Sequence, residues 1–261
     1  MSDDFYIGWE GKAPISHGRA TRRIVLAVLT LVLFAGLGLA ASQRLIGVAF
    51  FEWGQVKQFT GLLRADPYPH LVLAAEGTNQ VHGAAPLVAP FKFGVRREDI
   101  ARFDGRRVTL RGTRIHRDGR LMIELVPGSI TRAGDFLAPP VEEPEDAPLP
   151  GAPTVSLGRQ TFLGEIVDSK CWMGVMNPGV LTPHRACAVR CISGGIPPML
   201  LVRRENAPPL NLLLTDARGK SVNDRVLDFV AEPIEIAGEV VRQGELLILR
   251  ADPTTYRRVA R

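Results

Sequence analysis

"VRREDIARFDGRRVTLRGTRIHRDGRLMIEL" (residues 95–125) and "VNDRVLDFVAEPIEIAGEVVRQGELLIL" (residues 222–249) carry one pattern twice. Ile100 falls on Val226, Phe103 on Phe229, Val108 on Ile234, Leu110 on Ile236 and Gly112 on Gly238. Apolar residues at helical spacing give way to strict alternation. That predicts a short amphipathic helix, a strand, a turn at Gly119 or Gly244, and a closing strand.

The same correspondence extends upstream. "QFTGLLRAD" (58–66) matches "TFLGEIVDS" (161–169), with Phe59 on Phe162 and Gly61 on Gly164. Two more apolar runs precede each helix: "HLVLAA" and "PLVAPFKF" in the first copy, "PPMLLVRR" and "PLNLLLTD" in the second. Three strands, a helix and two strands resemble the order of the OB-fold, a five-stranded partly open barrel. The expected fold is therefore mainly β, with two tandem OB-like barrels at residues 55–135 and 157–256. The first has a complete strand pattern and no cysteine, so it reads as able to fold alone. Between them, residues 139–153 hold six prolines and four acids, which suits an extended linker. A fold of this kind does not by itself name a function.

The N-terminus carries a membrane signal. Ile24 to Ala41 is eighteen residues without a charge, and a span needs about 17–25. Lys12, Arg19, Arg22 and Arg23 precede it, while only Arg44 and Lys57 follow soon after. The positive-inside rule then makes residues 1–23 a cytoplasmic stub and 24–47 an anchor. The bulk of the chain is expected outside the cytoplasm, on a bacterial-type inner membrane. A cleavable signal peptide is the alternative, given the small residues before Ala41 and a loose twin-arginine likeness in "TRRIVL". The long leading segment and strongly apolar core favour an uncleaved anchor.

All three cysteines lie in one stretch, "CWMGVMNPGVLTPHRACAVRC" (171–191). This stretch belongs to an insertion at about residues 169–196 that the first copy lacks. It falls between the first two strands, in one of the loops OB-folds use for ligands. "TPHRACAVRCISGG" reads as a short helix, with Thr182 as its N-cap, Pro183 in its first turn and Gly194-Gly195 as its stop. His184, Cys187 and Cys191 then stand at i, i+3 and i+7 on one face. Cys171 approaches from the strand end, across a turn at Asn177-Pro178-Gly179. Three thiols and an imidazole can make a tetrahedral Cys₃His site for zinc. Met173 and Met176 in the same loop are soft donors that would instead favour copper. Iron–sulfur ligation has less support. Asp168 reads either as an exposed strand-end residue or as an outer partner of His184.

Two other readings stand beside the metal site. A disulfide from Cys171 to one helix cysteine would staple the insertion and leave a spare thiol. The pair Cys187 and Cys191 suits a disulfide poorly, because β-carbons at i, i+4 are about 5–6 Å apart against the roughly 3.5–4.5 Å required. A thiol–disulfide or copper-handling role is the third reading, although a C-x-x-C pair is missing. Without C-x-x-C-H, covalent c-type haem is not expected. "DSKC" (168–171), His184 and "CAVRC" (187–191) resemble a pattern in small exported bacterial proteins that carry D-S-x-C, a histidine and C-x₃-C. That resemblance implies an extracytoplasmic metal or redox role for the second domain.

Elsewhere, nine arginines and four acids lie between Arg96 and Arg120, and the net charge is +5. With few aromatics on the strands, this reads as a solvated face or a contact for anionic lipid or an acidic partner. Nucleic acid is not an expected partner. His70, His82 and His116 read as surface or loop residues. No phosphate loop, H-E-x-x-H or hydrolase triad signature is found. The sequence therefore points to an accessory or assembly protein of a membrane complex more than to an enzyme.

Overall fold

A computed structural model describes residues 15–43, 49–73, 85–90, 97–133 and 153–259. Residues 1–14 of the stub, His82 and residues 139–152 of the linker lie outside them. Contacts divide the chain into two units, Met1–Val48 and Ala49–Arg261.

In the first unit, helix α1 runs Ile15–Gln43. Its stretch His17–Ser42 contains an 18-residue window with a mean hydropathy of 2.7, and it is long and apolar enough to cross a membrane.

The second unit is mainly β, in two six-stranded sheets. The first contains β1 (Ala49–Arg64), β2 (His70–Leu73), β3 (Leu87–Ala89), β4 (Arg107–Arg117), β5 (Arg120–Leu125) and β6 (Thr131–Arg132), with helix α2 (Arg97–Ala101) before β4. The second contains β7 (Thr154–Asp168), β8 (Pro198–Arg204), β9 (Ala207–Thr215), β10 (Pro233–Gln243), β11 (Leu246–Arg250) and β12 (Arg257–Arg258). Helix α3 (Leu181–Ser193) lies between β7 and β8.

Both sheets use one strand order. In the second, β7 pairs with β8 and β10, β8 with β9, β9 runs parallel to β11, and β11 returns to β10. This closes a five-stranded barrel, with β12 as an added strand beside β10. In the first sheet β1, β2, β3, β5 and β4 follow the same circuit, but β2 meets β3 only at His70 and Leu87. Its ring is not clearly closed.

Close strand approach explains two aligned glycines. A Cβ on Gly61 would stand 2.5 Å from the Val72 carbonyl oxygen, and one on Gly164 2.5 Å from that of Leu201. Any larger side chain would push the paired strands apart.

The helix expected at 222–230 is instead two 3₁₀ turns, Asn223–Arg225 and Leu227–Phe229. Two valines, one asparagine and two aspartates in "VNDRVLD" weaken an α-helix there. Asn223 also donates its Nδ2 to the Ile192 and Ile196 carbonyls at 2.8 and 2.9 Å, which ties the segment to the end of α3.

Three large apolar clusters hold the second unit, beside a small one of Leu62, Val72 and Ala85. Ile123, Val88, Leu71 and Ile100 fill the first sheet's interior, and Ile236, Leu249, Leu212 and Val226 fill the second's. The third cluster lies between the sheets. Leu87, Ile115 and Met122 enter it from the first sheet, and Leu213, Val241 and Ile248 from the second. Met122 is the register partner of Leu87 and Ile115, and Ile248 is that of Leu213 and Val241. Each sheet thus contributes the same three positions to a self-complementary seam. The Met122-Ile123 and Ile248-Leu249 pairs are buried on opposite faces.

Polar contacts cross the same seam. The Tyr68 hydroxyl donates to the Leu214 carbonyl at 2.6 Å and accepts the Val222 N–H at 3.2 Å. Arg120 Nη1 donates to the Asn211 carbonyl at 3.2 Å. His70, expected at the surface, is only 2% exposed, and its Nδ1 lies 2.8 Å from the Tyr68 carbonyl. Burial on β2 pulls its pKa down.

Candidate metal centre

The connection from β1 to β2 spans residues 65–69, whereas that from β7 to β8 spans residues 169–197. The longer connection holds every cysteine. It opens with a single π-type turn, Cys171–Val175, broken by Gly174 at φ +139°. Gly179 packs against this turn so closely that a Cβ would sit 2.7 Å from the Cys171 carbonyl oxygen.

Helix α3 starts at Leu181, with φ +64° there, and the Leu181 N–H donates to Glu165 Oε2 at 3.0 Å. A carboxylate from β7 therefore serves the positive end of the helix, and the N-cap position falls on Val180, two residues before the expected Thr182. The helix ends as expected. Gly195 takes φ +101°, its N–H reaches the Ile192 carbonyl at 2.9 Å, and the Ile196 N–H reaches Cys191 at 3.0 Å. That pair of bonds is a Schellman ending. Ala188 and Ile192 bury one stripe of the helix in the second sheet's core.

The sulfur atoms of Cys171, Cys187 and Cys191 lie within 4.8 Å of one another, and all three cysteines are free. A tetrahedral ion with bonds of about 2.3 Å would hold sulfurs about 3.8 Å apart, so a small contraction would suffice. A second group joins the first through Cys171, because ligand atoms of Asp168, Cys171 and His184 also lie within 4.8 Å of one another. The structure thus brings all four expected ligands into one neighbourhood, with His184 beside Cys171 and outside the tight thiol triad.

Asp168 is fully buried and joins the two elements. Its Oδ1 accepts the Cys171 N–H at 2.7 Å, and its Oδ2 lies 2.9 Å from His184 Nε2. A carboxylate in this position fixes the ring orientation and leaves Nδ1 as the nitrogen for a ligand.

The thiols share their protons unequally. The hydrogen bond from Cys171 brings Cys191 down to about 7, aided by a second one from Cys187. Cys171 is pushed up by its hydrogen bond to Cys191, by burial and by the nearby Asp168 carboxylate. Burial also pushes Cys187 up, with the Cys191 charge next. A bound cation would override these preferences by stabilising thiolates.

The two loop methionines differ in placement. Met173 packs into the seam, 4% exposed, while Met176 is 46% exposed.

Residues that the sequence reading passed over hold the turn. Lys170, with its side chain 2% exposed, pairs with Glu124 at 2.6 Å and donates to the Pro90 carbonyl at 2.7 Å. Trp172, 1% exposed, receives Arg117 over its ring at 4.5 Å and on its carbonyl at 2.5 Å. Arg114 pairs with Glu52 at 2.7 Å. Three of the arginines read as a basic face thus have partners: Arg117 on Trp172, Arg120 on Asn211, and Arg114, with its side chain 41% exposed, on Glu52. The signal available for the turn was the large apolar Trp172 beside a cysteine.

No protein-family model, curated protein or solved structure matches the chain.

Proposed function

We propose that this chain is a membrane-anchored, extracytoplasmic accessory or assembly protein whose second barrel carries a structural metal ion. The ligands are Cys171, Cys187, Cys191 and His184, and Asp168 orients the imidazole. The carrying observation is the approach of three thiols within 4.8 Å, joined through Cys171 to a buried carboxylate–imidazole pair. Zinc fits this donor set better than copper, because Cys₃His is a closed structural set and Met176, 46% exposed, offers no buried thioether. The strand circuit supports OB-type barrels for both sheets, and the basic flank of α1 supports an N-terminus in the cytoplasm.

The test uses the full chain, purified in detergent without oxygen. We expect one metal ion per chain by elemental analysis. All three thiols should react with a thiol reagent only after chelation. Replacing His184 with Ala should release the ion at lower chelator concentration. A metal-free chain with one disulfide and one reactive thiol would overturn the reading in favour of a stapled interaction subunit. A metal-free chain with three thiols that exchange readily with an added disulfide would point to thiol exchange.

A further inference from the structure

A second donor set, with no cysteine among its lining residues, lies on the seam. A cleft of about 220 Å³ opens between the two sheets, lined by Met122, Met173 and Met199 together with Asn211, Asp118 and Glu245. The chain has five methionines. Three of them reach this one cleft from separate elements: β5, the turn after β7, and β8. The fourth described methionine, Met176, is exposed.

Three features give the cleft a chemical preference. Thioethers are neutral and polarisable, and they select soft monovalent ions over zinc or magnesium. Asn211 is 3% exposed, and its Oδ1 has no hydrogen-bond partner. A buried acceptor in that state costs free energy unless a cation or a donor meets it. The charged lining residues are two acids and one arginine, and that arginine already donates to the Asn211 carbonyl. Asp118 also faces Arg117 at 3.7 Å, so the charges around the cleft offset one another and do not repel a cation.

We propose that this cleft binds one soft monovalent metal ion, of the Cu(I) class, through the thioethers of Met122, Met173 and Met199 with Asn211 Oδ1 nearby. It contains no cysteine, so it stands or falls independently of the thiol centre.

The test uses Ag(I), a redox-inert stand-in for Cu(I), on full-length chain in detergent with ¹³C-methyl methionine. In the Cys171→Ser/Cys187→Ser/Cys191→Ser chain, one equivalent of Ag(I) should bind and shift the methyl signals of Met122, Met173 and Met199. Met176 should not move. Replacing any of the three with Leu conserves volume, and it should lower Ag(I) affinity by at least about tenfold, the cost typical of even an outer-sphere loss. If the cysteine-free chain does not fold, the wild-type chain decides. Its three cleft methyls should then shift with an equivalent of Ag(I) beyond that taken by the thiols, and Met122→Leu/Met173→Leu/Met199→Leu should abolish that equivalent. A natively folded chain that binds no Ag(I) apart from its thiols, or one in which Met176 moves as much as the other three, would overturn the proposal.

Discussion

Replacing Lys170 with Met should destabilise the protein strongly, although a lysine in a connection between strands is usually exposed and dispensable. The ammonium is 2% exposed, and its partner Glu124 is 13% exposed, on the other sheet. Burial already pulls the Lys170 pKa down, opposed by the hydrogen bond and charge of Glu124. Met keeps the length of the stem but removes the cation, so the Glu124 carboxylate remains in a poorly solvated place. Breaking one side of such a pair costs about 3–5 kcal/mol. For a unit of this size that corresponds to a fall of roughly 6–20 °C in Tm. Glu124→Leu should cost a similar amount by leaving the ammonium unpaired. The double variant Lys170→Met/Glu124→Leu removes both charges, and it should lie within about 1 kcal/mol of wild type, because an apolar replacement of a buried pair is close to neutral. The assay is urea unfolding of the full chain in detergent, followed by far-UV circular dichroism so that Trp172 does not bias the signal. Additive losses in the double variant would refute the reasoning, since the two groups would then not be each other's main partners.

Glu52 gives a pH prediction. Arg114 first and Lys57 second hold its pKa at about 2, against an ordinary 4.5. A depressed carboxylate contributes stability above the unfolded pKa and loses it as pH falls through the folded one. Glu52→Gln should therefore flatten the decline in stability between about pH 4.5 and pH 2, and an unchanged slope would count against the pair. Gly164→Ala should cost about 1–3 kcal/mol by forcing β7 away from β8, with Gly61→Ala similar in the first sheet; melting curves check both. Residues 49–133 expressed alone should self-associate through Leu87, Ile115 and Met122 rather than remain monomeric, as sedimentation velocity would show. A reporter fused after Arg261 should be active only outside the cytoplasm, and cytoplasmic activity would reverse the orientation.

The sequence reading recovered what local periodicity encodes. Alternation marks β4, β5, β10 and β11, and the i, i+3, i+7 spacing places His184, Cys187 and Cys191 on one helix. It missed what depends on distant partners. Lys170 meets Pro90 80 residues earlier, Arg117 meets Trp172 across 55, and Tyr68 meets Leu214 across 146. No local pattern announces such pairings. Met122-Ile123 shows a related limit: alternation assigns one residue to a core and the other to solvent, whereas the seam buries both. Asp168 could be read either way from the sequence, because only the fold determines whether a strand end is covered.

One detail of the cysteine turn bears on the seating of the two sheets. Cys171 stands between Lys170 and Trp172, and both neighbours are held by the first sheet through Glu124, Pro90 and Arg117. Cys187 and Cys191 ride on α3, which is packed on the second sheet through Ala188 and Ile192. Cys171 is thus referenced to both sides: to the first sheet through its neighbours, and to α3 through Asp168, which accepts its N–H and meets His184. The other two thiols are referenced to the second sheet alone. A slip of one sheet against the other would therefore pull one sulfur away from the remaining two, so the spacing of the thiols registers how the two halves are seated.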